Sequence, residues 1–456
     1  MNPTIKTSSW YIKAICFWFS ICLFAASLAA TIYLNLWGHV LKDFFTLMMR
    51  PGPLITDYFM LGNIASSFFN AGMCGMAVTL LMIHLKAECR PSFLAGYFLV
   101  IAHCFYGLNF LNMWPPFLGI LLFTKVFKIG FRHNMDMAMF ATAFGPFISE
   151  MLFRYHVWNY YITYQIQVSI LGFIYVIIFS IFLGFAIPAM LPGALKLHKG
   201  YNLYNGGLAF GLLGLFIYAF MYKTLGIEAP VAVPTPNVVY AAHTNSYQGF
   251  CICFFILVFA MFLLWGWYEN GKSLNGYGEL LKSTGHRTDF FTEFGSSKVL
   301  LNIGLYGMLI LTYFSLIITF TDGAGFTGPT VGVILAAMTF SSQGQHPANV
   351  WPIFIGYIVL YTMVALLCTL AGLDIPWTLS TQGYLNGAAF ATGLCPITGR
   401  YGKRFGVLAG FMAAIICTST SSMHGGLMLY NGGLTTGITA LIMVPCLEYY
   451  FTDRKH

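Results

Sequence analysis

Apolar runs separated by short polar loops extend along the whole chain. Most runs are about 20 residues long, which is enough to cross the roughly 30 Å of hydrocarbon in a bilayer. Their spacing predicts an all-α, polytopic membrane protein with up to seven membrane segments in each half. These segments cover residues 10–34, 58–84, 92–108, 113–130, 134–152, 166–191 and 201–222, then 248–267, 299–320, 325–342, 351–371, 383–397, 405–420 and 427–450.

The composition agrees with this class. Of the 456 residues, 58% are hydrophobic and only 8% are charged. A soluble domain has about 25% charged residues, so this chain has too few polar side chains to cover a water-facing surface. The net charge of +8 comes from basic residues spread over loops, where they orient membrane helices and do not indicate a nucleic-acid partner. The eleven scattered cysteines predict helix packing and no metal site.

The second half of the chain repeats the first. Leu203-Tyr-Asn-Gly-Gly-Leu recurs identically from Leu429, at an offset of 226 residues. Three further blocks recur in the same order at offsets of 232, 237 and 250, namely 56–76 at 288–308, 107–119 at 344–356 and 140–146 at 390–396. A duplicated membrane unit predicts a solute pathway between the two copies.

The basic residues indicate that the second copy is inverted. If the N-terminus is cytoplasmic and every segment crosses, eighteen of the 22 lysines and arginines fall inside, as the positive-inside rule requires. Seven is an odd number, so the second copy begins outside. We therefore predict a cell-membrane protein with both termini cytoplasmic, a first repeat at 1–225, an extracellular linker at 226–247 and a second, inverted repeat at 248–456.

Two of the segments are short and interrupted. Gly145-Pro146 divides 134–152, and Pro396 divides 383–397. Because proline removes a helical hydrogen bond, these segments are predicted to be broken or re-entrant half-helices. Each repeat then has five to seven membrane segments.

Asparagine beside glycine is the recurring polar pattern within the apolar spans. Next to a helix break, an asparagine amide offers two donors and an acceptor in a low dielectric. Two inverted halves with such breaks can build a polar path at the bilayer midplane. Alternatively, the glycines only pack helices and the asparagines cap them. The substrate-path candidates are Asn70, Asn205, Gly206, Gly207, Asn302, Asn386, Asn431, Gly432, Gly433, Thr142 and Thr392.

A second group of residues consists of candidates for coupling or gating. Asp57 and Asp289 each follow a threonine just before a long span, where they are coupling carboxylates or, as we favour, helix N-caps. Asp136 aligns with an asparagine of the other half, so it is a candidate for a single proton or sodium site. His198 and His424 precede the repeated runs, and either gate or relay protons near neutral pH or lie at the interface.

Several of these motifs resemble those of known families. Asp57-Tyr-Phe, Phe69-Asn-Ala-Gly-Met and the two Leu-Tyr-Asn-Gly-Gly runs resemble a bacterial membrane protein family, domain of unknown function 1576. That resemblance implies a fold but no substrate. The segments Leu203 to Gly211 and Leu429 to Gly437 are also similar to the Phe/Tyr-Asn-Gly-x-Leu segments of urea transporters. This similarity implies an inverted-repeat, trimeric, channel-like carrier of a small neutral amide.

A channel or carrier for a small polar solute, such as a urea-like amide or ammonium, accounts best for these features. One alternative is a proton- or sodium-coupled secondary transporter of a small organic solute or anion. The other is a membrane-embedded enzyme, although the sequence has no common catalytic motif. We expect no cofactor, metal or nucleic-acid partner, a position in the lipid bilayer, and a homo-oligomer (dimer or trimer).

Overall fold

The computed structural model describes residues 3–155, 167–229 and 238–451, and every regular element in these ranges is helical. The first half contains α1 (Pro3–Tyr33), α2 (Val40–Met48), α3 (Tyr58–Leu61), α4 (Ile64–His84), α5 (Pro91–His103), α6 (Trp114–Val126), α7 (Met135–Ala141), α8 (Gly145–Phe153), α9 (Ile170–Leu197) and α10 (Asn205–Tyr218). The second half contains α11 (Val238–Glu269), α12 (Tyr277–Leu280), α13 (Phe290–Phe294), α14 (Ser296–Phe320), α15 (Gly328–Ala337), α16 (Pro347–Ala371), α17 (Gln382–Ala391), α18 (Cys395–Tyr401), α19 (Lys403–Ile416) and α20 (Asn431–Phe451).

Eight of the described helical stretches are long and apolar enough to cross a membrane. They define a multi-pass helical membrane protein, as the apolar runs predict. The shorter helices α5, α6 and α15 are also apolar. The eight stretches are Ser8–Tyr33, Ile64–His84, Ile170–Leu197, Asn205–Thr224, Tyr247–Glu269, Ser296–Phe320, Pro347–Ala371 and Asn431–Phe451.

The predicted segments and the observed helices differ at a few boundaries. The segment predicted at 58–84 is divided into α3 and α4, because Asn63 caps α4 by accepting from Ser66 N–H. Helix α11 begins at Val238, within the predicted linker at 226–247. The linker residues 230–237, including its three prolines, lie outside the described residues.

Each helix of the first half has a counterpart in the second half whose label is higher by ten, so that α1 corresponds to α11. Thus α1 packs along α4 and α11 along α14, while α6 packs along α9 and α16 along α19. The matching helices α1 and α11 contact each other in opposite directions. Tyr11, near the start of α1, donates to Glu269 at the end of α11, and the rings of Phe19 and Phe262 stack farther along.

The broken segments contain the same interruption in both halves. One turn of 3-10 helix, at Thr142–Phe144 and Thr392–Leu394, separates α7 from α8 and α17 from α18. The next helix has a proline in its first turn, where the missing N–H has no helical acceptor in any case. Glycine and proline therefore interrupt these segments where the sequence predicts it.

Candidate functional site

Helices α10 and α20 cross at the two repeated Leu-Tyr-Asn-Gly-Gly-Leu runs. A Cβ atom added to Gly433 would lie 2.7 Å from the Gly207 Cα, and one added to Gly207 would overlap Gly433. Only two glycines allow backbones to approach so closely. Beyond this closest pair, residue numbers rise along α10 while those of the contacted residues fall from 437 to 434 and then to 425, just before α20, so the two helices are antiparallel. The pairs are Gly211 with Leu434, Gly437 with Leu208 and Gly425 with Tyr218.

Asn70 and Asn302 hold the chain where α5 and α15 end. Asn70 Nδ2 donates to the carbonyls of Cys104 (2.9 Å) and Leu108 (3.0 Å). Asn302 Nδ2 donates in the same way to the carbonyls at the equivalent positions, 341 (2.7 Å) and 345 (2.8 Å). The two amides donate to carbonyls that have no acceptor role left within the helix, so these candidates stabilise the ends of α5 and α15. They do not line the cavity described next.

A cavity of about 430 Å³ ends at the crossing of α10 and α20. This volume is within the roughly 300–1,000 Å³ of pockets that hold small organic molecules. Its outer residues include the exposed Pro192 and Arg287, and its floor includes Gly207 and the buried ring of Tyr430. Both halves of the chain therefore contribute to its wall.

The polar groups that line the cavity are amides, hydroxyls and one guanidinium. Asn205 and Gly206, at the start of α10, line it together with Ser92 and Arg287, and no described lining residue is a carboxylate. The Asn205 Oδ1 and the Tyr430 hydroxyl are buried and form no hydrogen bond of normal geometry with a described residue, although the Thr142 hydroxyl lies near that of Tyr430. Buried polar atoms are normally satisfied, so these two are available to a ligand.

The cavity lies at the end of the molecule that carries Lys86, Arg90, Lys199 and Arg287, which we call the basic end. Here His286 Nε2 lies 2.9 Å from the Lys199 carbonyl, so side chains bridge the two halves. The sequence offsets map His286 onto Leu54 and Gly200 onto Gly426. At that opposite end the backbones meet directly, since Leu54 N–H donates to the Gly426 carbonyl at 2.7 Å.

The two candidate histidines also differ between the ends of the molecule, because one is hydrogen-bonded through Nε2 and the other is not. At the opposite end, His424 Nε2 lies 3.2 Å from Asn431 Oδ1. At the basic end, the equivalent atoms, His198 Nε2 and Asn205 Oδ1, have no partner among the described residues. Burial lowers the pKa of both histidines to about 4, so both are neutral at pH 7. This favours hydrogen bonding over proton relay for this pair.

The three candidate aspartates lie at helix starts. Asp289 accepts from Phe291 and Thr292 N–H groups and so caps α13. Asp136, in the first turn of α7, accepts from the hydroxyl of the cavity residue Ser92 at 2.6 Å. Asp57 accepts from Phe59 N–H at 2.8 Å, which caps α3. It also accepts from the first residue of α15, Gly328, at 3.0 Å, and so joins the two halves.

Asp57 makes the stability of the protein depend on pH. Burial raises the pKa of its carboxyl to about 6, and its Oδ2 has no partner among the described residues. Because this pKa exceeds that of unfolded Asp, the Asp57 contribution is fully present below about pH 4 and is lost as the pH rises through 6. We expect Asp57→Asn, which preserves a capping oxygen, to gain roughly 3 kcal/mol over wild type between pH 4 and 7.

Thermal unfolding in detergent at several pH values, compared between wild type and Asp57→Asn, measures this difference. Asp289→Asn is the matched control, because that carboxylate also caps a helix but lies at the more open basic end. A stability difference between wild type and Asp57→Asn that is constant from pH 4 to 7 would contradict the expectation.

The remaining path candidates are not among the lining residues of the cavity. The Thr142 and Thr392 hydroxyls donate to the carbonyls of Met139 and Ala389, three residues earlier, and Thr392 also accepts from Gln345 Nε2 at 2.6 Å. Asn386 accepts from Gln382 in its own helix. Gly432 lies against the ring of Phe390. Of the predicted path residues, Asn205, Gly206 and Gly207 line the cavity, and Gly433 contacts its floor.

A group of three contacting aromatic side chains lies behind the cavity floor and is not predicted from the sequence. His103, at the end of α5, packs against Tyr430, with ring centroids 5.2 Å apart, and against Tyr106, at 5.1 Å. All three side chains are only 1% exposed. His103 is at the position of Phe340 in the other half, so a search for matched positions does not find it. Apart from a histidine within an apolar run, the sequence contains no signal for it.

The fold and the cavity define a multi-pass helical membrane protein with a pocket between its two halves. The chain belongs to the DUF1576 family, described as proteins of unknown function, whose model matches residues 37–223 and 269–449. This confirms the family resemblance of the Asp57 and Leu-Tyr-Asn-Gly-Gly motifs. A comparison with curated proteins and one with solved structures each found no match.

Proposed function

We propose that this protein is a carrier that moves a small polar solute across the cell membrane, and that its halves are inverted repeats. The opposite directions of α1 and α11, and of α10 and α20, support the inverted relation. The repeats would meet at the Gly207–Gly433 crossing. Helices α5 and α15, with their loops, would be re-entrant half-helices that reach this crossing from opposite sides, in addition to the broken segments predicted at 134–152 and 383–397.

The observation that carries the proposal is the difference between the two ends. An inverted repeat has an equivalent site at each end, yet the cavity beside Asn205 lies at the basic end, and a backbone hydrogen bond joins Leu54 to Gly426 at the other. A second cavity, of about 690 Å³ at the far end of α10, is lined mainly by apolar residues such as Phe216 and Phe220 and is not the counterpart of the first. The difference between the two ends fits one state of an alternating-access carrier, open at one end and closed at the other. It also favours a carrier over a continuously open channel.

The charges support an orientation and a solute class. The basic end would face the cytoplasm, because lysines and arginines are retained there. The cavity has an arginine, amide and hydroxyl groups and the N-terminus of α10, without a lining carboxylate among the described residues. Such a lining favours a neutral or anionic polar solute over ammonium.

Uptake into proteoliposomes tests the proposal. The panel is urea, acetamide, ammonium, formate, acetate and lactate. We expect Asn205→Leu and Asn431→Leu to lower uptake about tenfold or more, because a lost hydrogen bond at a buried polar site is worth about 1–3 kcal/mol.

Asn275→Leu is the matched control, since Asn275 is exposed in a loop outside the cavity. Equal uptake by all three variants would place the path elsewhere. If folded wild-type protein takes up no compound of the panel, the carrier proposal is wrong.

A further inference from the structure

Three buried polar atoms near the crossing form no hydrogen bond of normal geometry with a described residue. They are His103 Nε2, the Tyr106 hydroxyl and the Tyr430 hydroxyl. The Leu429 backbone lies near His103, and the Thr142 hydroxyl lies near that of Tyr430. The three atoms belong to one aromatic group, because the His103 ring contacts both tyrosine rings. Three unsatisfied atoms in contacting side chains indicate a site that takes up something from outside the chain.

The hydrogen bonding of His103 assigns its tautomer. Its Nδ1 lies 2.6 Å from the Leu99 carbonyl, which can only accept, so Nδ1 carries the proton. Nε2 is therefore the atom with a free lone pair. In a neutral imidazole this is the atom that binds a proton.

The other half has no equivalent of this group. Phe340 and Gln343 stand where the first half has His103 and Tyr106. Tyr204, the counterpart of Tyr430, donates to the Ala336 carbonyl at 2.9 Å and is satisfied. A phenylalanine thus completes the packing at this place, so packing alone does not require the histidine.

Several titratable groups lie around His103, but no described one forms a hydrogen bond or an ion pair with its imidazole. Cys104 follows it in the chain, Cys74 of α4 lies beside Cys104, and Tyr204 is near Tyr106. Asp57 approaches from the loop before α3, where the neighbouring Tyr58 donates to the Phe105 carbonyl. No described salt bridge or hydrogen bond joins a charged side chain to His103. An imidazolium here would lack a counter-ion and be costly.

The cavity can supply the counter-ion. Leu99, which holds Nδ1, lines the cavity, and so does Tyr430, which contacts the His103 ring. An anion on the cavity floor would therefore lie one aromatic ring from His103. It would also meet the Tyr430 hydroxyl and the N-terminal end of α10, where helix N–H groups favour negative charge.

We propose that the protein cotransports a proton with a small organic anion such as a carboxylate, and that His103 binds the proton. This rests on the proposed carrier function. Nε2 takes up one proton when the anion enters at one end and releases it when both leave at the other. Each charged form is costly without the other, so the two would move together.

His103→Phe is the decisive variant, because Phe340 shows that phenylalanine fits this place in the fold. After the uptake of protein-free vesicles is subtracted, because neutral weak acids also diffuse through lipid, we expect wild-type vesicles to accumulate acetate or lactate at least tenfold faster with an acidic outside than without a pH gradient. In His103→Phe we expect downhill exchange of the same anion to persist and the gradient effect to disappear. His84→Phe, at an exposed histidine at the end of α4 that does not line the cavity, is expected to retain the gradient effect.

A binding measurement separates this inference from transport. Purified wild type in weakly buffered detergent solution should take up about one proton per acetate bound, and His103→Phe should take up none. Gradient-driven uptake that is unchanged in His103→Phe would overturn the role of His103. Gradient-insensitive uptake of urea or acetamide, without carboxylate uptake, would overturn the inference while preserving the carrier. No uptake of any solute would overturn both.

Discussion

Replacing Gly207 with alanine is expected to destabilise the protein by about 3 kcal/mol or more and to abolish uptake. The added Cβ would overlap the backbone of Gly433, and backbone atoms cannot move aside as a flexible side chain can. Overpacking of a well-packed core usually costs about 1–3 kcal/mol, and a backbone overlap belongs at or above the upper end. Gly207→Leu is expected to yield no folded protein.

Thermal unfolding in detergent, followed by tryptophan fluorescence, measures this loss. Gly249→Ala is the control, because it lies in helix α11 with no atom within 4 Å of an added Cβ. Its stability should be unchanged or slightly higher, since alanine favours helix more than glycine does. Wild-type stability of Gly207→Ala would contradict the close crossing of α10 and α20.

Replacing Arg154 with alanine is expected to have the second large effect. Arg154 forms a buried ion pair with Glu150, and both side chains are almost fully inaccessible. Tyr222 donates to the same carboxylate at 2.8 Å, and Arg154 Nη2 donates to the Glu228 carbonyl at 3.0 Å. Removing the arginine leaves a buried carboxylate without its counter-ion, which costs about 3–5 kcal/mol.

The double variant Glu150→Gln, Arg154→Ala should recover most of this loss, because it removes the unpaired charge. Lys282→Ala is the matched control, since Lys282 pairs with Glu279 on the surface and such pairs contribute about 0–1 kcal/mol. Unfolding midpoints of the four proteins in one detergent give the comparison. An Arg154→Ala loss no larger than that of Lys282→Ala would show that the buried pair is not formed.

The spans were predictable because membrane helices are specified locally. A run of apolar residues such as 299–320 is sufficient to predict α14, whatever the rest of the chain does. The interruption at Gly145-Pro146 was predictable for the same reason. The start of α11 at Val238 was not, because polar residues such as Asn245 and Gln248 precede its apolar core and resemble a loop.

The candidate site was only partly predictable, because sequence shows which residues are polar but not what they bond. Asn70 and Asn205 occur in similar motifs, yet the Asn70 amide binds loop carbonyls while Asn205 faces the cavity. A comparison of the two repeats identifies only positions that both halves share, and His103 is not one of them. His103 became a candidate only through its contact with Tyr430 and its unsatisfied Nε2.

The crossing of α10 and α20 also bears on how the protein is made. Gly207 and its partner Gly433 are 226 residues apart, and chains grow at about 5–20 residues per second, so the partner is synthesised roughly 10–45 s later. During that time α20 has not yet been synthesised, so the polar start of α10 has no helix to pack against. Formation of the crossing is therefore a late step in biogenesis, which cannot be completed before the second half is synthesised.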